Sequence, residues 1–166
     1  MNKISHDSET PADGQQVLTA CAFIYKKTTE WIKVFIPQRA STKKFLPWVF
    51  ELPWGHIEYW EDMVEWLKRE IDEEFWMVVE IGECFEVFTY MNDIKWTHSL
   101  EAIYFATFVW DEKYIELHPE DHQSFLWISK EEISSILDDV KWEDDSEIQA
   151  IKKWFSILEW KHNWNI

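Results

Sequence analysis

A chain of 166 residues with 46% hydrophobic content is sized for one folded domain with a substantial core, which excludes an intrinsically disordered protein. Its 32 acidic against 16 basic residues give a formal charge of -16. Such a surface repels nucleic acid and anionic membranes over roughly a Debye length, about 8 Å at physiological salt, so neither is an expected partner.

Residues 1–15 are polar, punctuated by Pro11 and Gly14, and read as a flexible leader without the apolar stretch of a secretory signal. Val17–Tyr25 and Trp31–Pro37 are rich in strand formers, with a hairpin through Lys26–Glu30. Phe45–Gly55, broken by two prolines, reads as an irregular strand and turn. Glu61–Phe75 is the clearest helix: Met63, Val64, Leu67, Ile71 and Phe75 recur at three- and four-residue steps and make one apolar face. Strands are expected at Cys84–Tyr90 and Ala102–Trp110, joined by a polar loop around Asn92–His98.

A further strand, Phe125–Ile128, carries Trp127 as a core residue. It runs into Ser129, a helix N-cap whose capping-box partner is Glu132. From Asp145 onward, Ile148, Ile151, Phe155 and Leu158 form a second helical stripe. Strands interleaved with helices give an α+β class, a mixed sheet covered on both faces. No apolar run is long enough to span a bilayer. Cys21 and Cys84 have neither CxxC spacing nor a histidine cluster, so a cytoplasmic protein with reduced thiols is the simplest placement.

Thirteen tryptophans against three glycines is an inverted ratio. Trp31, Trp48, Trp54, Trp76, Trp96, Trp110 and Trp142 sit between or at the ends of periodic segments, where a turn favours glycine. Several of them are read as former glycines.

Glu70, Glu73 and Glu74 lie at i, i+3 and i+4 on the predicted helix, within an arc of roughly 100° beside its apolar stripe. Carboxylates so crowded repel one another, and a hard divalent cation among them would remove the penalty. Arg69 stands four residues from both Glu65 and Glu73 and has the planar fork to hold a carboxylate in place. Taken alone, the string also suits a solvated acidic helix.

Its surroundings change that reading. Gly55, Glu61, Arg69-Glu70-Ile71, Glu73-Glu74 and Met77 stand at the spacing of the Nudix box, G-x5-E-x7-R-E-U-x-E-E-x-G-U. The segment resembles that box at every fixed position but the last glycine, which is Trp76 here. The resemblance implies a Nudix fold, an α/β/α sandwich, over residues 16–166. It implies a Mg2+-dependent hydrolase, with Mn2+ as a substitute, that cleaves a diphosphate linkage in a small nucleotide-like substrate.

Glu70, Glu73 and Glu74 would ligate the metal, and Arg69 with Glu61 would orient them. The carbonyl of Trp54, which precedes the box glycine, would join the shell. A further acid is expected from a distant loop, and Glu120 and Asp121 are the local candidates.

Arg39, Lys43 and Lys44 form the basic cluster upstream of the box and are candidates for phosphate contact. Tyr90, Phe45 and Phe105 are candidates for base stacking, although aromatic residues in strands more often belong to a core. His98 and His122 read as surface residues rather than catalytic ones. Trp54 and Trp76 raise an alternative, a Nudix-fold binding module with impaired turnover. ADP-ribose or dinucleoside polyphosphates are further substrate classes, and the surplus aromatic residues leave room for a homodimer.

Overall fold

The run QVLTACAFIYKK sends alternate side chains to opposite faces, and its middle, residues 19–24, is buried on both. In the computed structural model it is strand β1 (Gln16–Lys27), the centre of a six-stranded sheet. The other strands are β2 (Ile32–Arg39), β3 (Trp54–His56), β4 (Val79–Asn92), β5 (Thr97–Phe108) and β6 (His122–Ile128). Helices α1 (Met63–Phe75), α2 (Ile133–Leu137) and α3 (Ser146–Asn163) complete the fold. The structure describes residues 16–44, 46–57, 59–92, 97–137 and 146–163. The leader 1–15, Phe45, Glu58, Trp96 and Trp142 lie outside them.

Strand order is β4-β5-β1-β2-β6, with β3 also on β1. A parallel ladder with β5 occupies one edge of β1 from Gln16 to Ile24. The opposite edge is shared: Thr19–Cys21 pair with β3 and Tyr25–Lys27 with β2, both antiparallel. Beyond Val34, β2 therefore parts from β1 and continues along β6. Residues 49–51 line this divergence. The Arg39 N–H donates to the Val49 carbonyl at 2.9 Å and the Glu51 N–H to the Pro37 carbonyl at 3.1 Å. In this way a charged residue, Glu51, comes to lie only 4% exposed inside the fold.

Two cores follow from the period of two. Cys21, Phe23, Val34, Ile36, Ile103, Phe105 and Ile128 face α2 and α3, where Ile148, Ile151, Phe155 and Leu158 supply the expected stripe. Trp154 joins them, its ring edge-on to Phe23 at 4.8 Å between centroids. Ala20, Ala22, Ile24 and Phe35 face α1, which buries Trp66, Leu67, Ile71 and Phe75. The architecture is the expected mixed sheet between helical layers. After β6, the Ser129 N–H donates to Glu132 at 2.8 Å, as the capping-box spacing anticipates. Among the described residues no helix is long and apolar enough to cross a membrane.

Helix α1 starts two residues later than the periodicity suggests, because Asp62 is its N-cap. The Asp62 side chain accepts from the Val64 and Glu65 N–H groups at 3.0 and 3.2 Å, leaving Glu61 ahead of the helix. Trp66, which adds bulk next to the box, goes inward and covers Gly55. A Cβ on Gly55 would stand 2.4 Å from Cη2 of Trp66. Gly55→Ala is accordingly expected to destabilise the protein by about 1 kcal/mol or more through overpacking. Unchanged stability in urea denaturation would refute this.

Candidate active site

Two short backbone bonds decide where the site forms. The last carbonyls of a helix lack partners within it. In α1 they are met from a distant loop: the Glu116 N–H donates to the Phe75 carbonyl at 3.1 Å and the His118 N–H to the Glu74 carbonyl at 2.8 Å. The acidic turn His118–Asp121 is thereby pinned to the end of the glutamate-bearing helix. A third bond, Ala40 N–H to the Asp121 carbonyl at 2.8 Å, ties the loop after β2 to the same turn.

These ties bring most of the expected site residues to one cleft of about 690 Å³. Glu70, Glu73 and Glu74 line it from α1, Glu120 and Asp121 from the acidic turn, Lys43 and Lys44 from the loop after β2, and Trp54 from β3. Arg39 also lines it, but is 7% exposed and holds Glu51 at 2.8 Å. The other Glu51 oxygen accepts the Trp54 indole N–H at 2.8 Å. The sequence reading missed Glu51. A lone carboxylate in the apolar string Phe50-Glu51-Leu52 was the available signal, because such a charge is buried only with a partner. Tyr90 and Phe105 stand away from this cleft, and Phe105 packs in the core on the α3 side.

Arg69 gathers the acids at the start and middle of α1. It lies 3.2 Å from Glu61, 2.9 Å from Glu70 and 3.1 Å from Glu73, while Glu65 goes to Lys68 at 2.8 Å. Burial works against the Arg69 charge, yet the hydrogen bonds it donates to Glu61 and Glu73 hold its pKa above the ordinary value. Across the cleft, Asp121 Oδ1 accepts from Lys43 Nζ at 2.6 Å, and His118 Nδ1 lies 2.7 Å from Oδ2. Desolvation disfavours the charged form of Asp121, but Lys43 together with His118 and His122 outweighs it and lowers the pKa. Among the described residues, no three acidic, histidine or cysteine side chains converge as a ready metal site. The acids lean instead on Arg69 and Lys43.

Glu74 is different. Desolvation, then the charges of Asp121, Glu70 and Glu51, push its carboxyl well above the ordinary range, against opposition from Lys43. A set of crowded, hard oxygen donors that disfavour one another's charge fits a divalent cation of the Mg2+ type.

His122 corrects the surface expectation: it is 4% exposed and packs on Phe75, ring centroids 4.9 Å apart. A register shift between Gln38 and Arg39, where Gln123 is skipped and His122 comes opposite Arg39, turns its ring inward. Burial lowers its pKa from 6.5 to about 4, so it is neutral at pH 7. Its contribution to stability is present above pH 6.5 and is lost as pH falls towards about 4, because the unfolded chain binds the proton first. A His122→Gln variant should show a flatter stability profile across that window. An unaltered slope in pH-dependent denaturation would count against this.

A sequence profile of the NUDIX domain matches residues 15–165. The chain belongs to the NUDIX domain family. The family is that of the Nudix hydrolases, which act on phosphoric anhydrides.

Solved structures repeat the Nudix fold. A C. elegans Ap4A hydrolase in a binary complex is 23% identical, with a TM-score of 0.63, over 84% of this chain and 98% of its own. The MutT protein of Methanosarcina mazei Go1 is 15% identical, with a TM-score of 0.68, over 88% and 96%. The NUDIX domain of Shewanella oneidensis NrtR complexed with ADP ribose is 18% identical, with a TM-score of 0.62, over 86% and 88%. No curated protein matches the chain. The box segment thus starts on β3 at Gly55 and runs through α1, with Trp76 at its last glycine position.

Proposed function

We propose that this Nudix chain is a Mg2+-dependent pyrophosphohydrolase that cleaves the diphosphate linkage of a nucleoside triphosphate or other nucleoside diphosphate derivative by water attack at phosphorus. The observation that carries the reading is one cleft lined by Glu70, Glu73, Glu74, Glu120 and Asp121 together with Lys43 and Lys44. The glutamates, the two loop acids and the Trp54 carbonyl would hold Mg2+ or Mn2+, which supplies charge neutralisation and an acidified water when bound. Lys43 and Lys44 orient the phosphates. Arg69 fixes Glu61, Glu70 and Glu73 in direction, and a box carboxylate accepts the proton of the attacking water. Similarity to an Ap4A hydrolase and to a NUDIX domain complexed with ADP ribose supports a nucleoside diphosphate core in the substrate.

A second reading, a binding module with little turnover, is favoured by Trp54, whose bulk lines the same cleft, and by Trp76 at the last glycine position of the box. Phosphate or nucleoside monophosphate release from a nucleotide panel separates the two. The hydrolase reading expects release that needs Mg2+, stops on chelation and falls at least about 100-fold in Glu73→Gln. Retained nucleotide binding with no release from any substrate would leave the module.

A further inference from the structure

We propose that Lys43 is an exchangeable counter-ion of the catalytic cleft: it neutralises Asp121 in the free protein and passes to a substrate phosphate when a divalent cation takes Asp121, so that cation and nucleotide bind cooperatively. The inference deepens the hydrolase reading and rests on it.

The Lys43 ammonium and His118 meet opposite oxygens of Asp121, at 2.6 and 2.7 Å, with both Lys43 and Asp121 about three-quarters buried. Lys43 is also the charge that opposes the mutual repulsion of Glu74, Asp121, Glu70 and Glu51. The lysine therefore already performs the task for which a divalent cation is suited. Two cations cannot share one carboxylate oxygen without repulsion, so entry of the ion displaces the ammonium.

The backbone permits such a departure. Residues 40 and 43 are anchored by Ala40 N–H to the Asp121 carbonyl at 2.8 Å and Lys43 N–H to the Ala40 carbonyl at 3.2 Å. Neither bond involves the ammonium, and the four-carbon stem can swing while both loops stay in place. Once released, the ammonium remains inside a cleft of about 690 Å³ beside Lys44, where an anionic diphosphate would complete its pairing. Linkage makes the effect reciprocal: cation binding frees a phosphate partner, and phosphate binding removes a competitor of the cation.

The test is a Mn2+ titration at pH 8 followed by the electron paramagnetic resonance of the free ion, on wild type, Lys43→Met and Lys43→Arg. Binding of α,β-methylene ADP is measured in parallel, with and without Ca2+. Exchange predicts that Lys43→Met binds Mn2+ roughly threefold to tenfold more tightly, binds the analogue more weakly and loses most of the Ca2+ enhancement of analogue binding. Lys43→Arg should lie near wild type. Unchanged or weaker Mn2+ binding by Lys43→Met would overturn the exchange while leaving hydrolysis by wild type intact. Absence of both Mn2+ binding and hydrolysis in wild type would instead remove the hydrolase reading and this one with it.

Discussion

Exchanging Arg39 for methionine is expected to destabilise the protein by about 3–5 kcal/mol, enough to bring a domain of ordinary stability near unfolding at room temperature. The side chains of Arg39 and Glu51 are only 8% and 5% exposed and meet at 2.8 Å. Removing the guanidinium leaves the Glu51 carboxylate buried with the Trp54 indole N–H on its other oxygen, and a buried charge without its partner costs far more than the pair contributes. Replacing both, as Arg39→Met with Glu51→Leu, should recover much of the loss. Urea denaturation of the two single variants and the double variant measures this directly. A single-variant cost below about 1 kcal/mol would mean that water reaches the pair and that the burial argument fails.

The reverse sign is expected at three tryptophans. Trp48, Trp60 and Trp76 have φ of 70°, 77° and 53°, in the left-handed region that favours glycine. They are 56%, 88% and 63% exposed, so little apolar burial is lost on removing the rings. A side chain in that conformation costs roughly 1–2 kcal/mol, and glycine returns about 0.5–1 kcal/mol of that as extra freedom in the unfolded chain. The triple Trp→Gly variant is therefore expected to gain roughly 1.5–3 kcal/mol and to melt higher by about 3–12 °C. A lower melting temperature would show that the indoles hold surface contacts stronger than the backbone strain.

How much of this was legible beforehand depended on whether a feature is local. The box helix was, because Leu67, Ile71 and Phe75 set its buried face by spacing alone. Glycine-like behaviour was legible at Trp48 and Trp76 from their places between elements, and Trp60 shares it. The β1–β5 pairing was not, since a parallel ladder joining residues some 80 apart leaves no trace in either strand. Nor was the Arg39–Glu51 pair, whose partners meet only because β2 leaves β1 and residues 49–51 line the gap. Trp66 was unreadable for another reason: its volume fits only because β1 offers Ala20 and Ala22 and β3 offers Gly55. The acids beyond the box could be nominated as a turn, but their approach to Glu74 depends on carbonyls at the far end of α1.

That junction makes the end of α1 a latch. The amides of 116 and 118 close on the carbonyls of Phe75 and Glu74, so the acidic turn can swing outward only by giving up both bonds. Opening the cleft from this side breaks the two bonds together, and deuterium should enter the amides of residues 116 and 118 at a common rate.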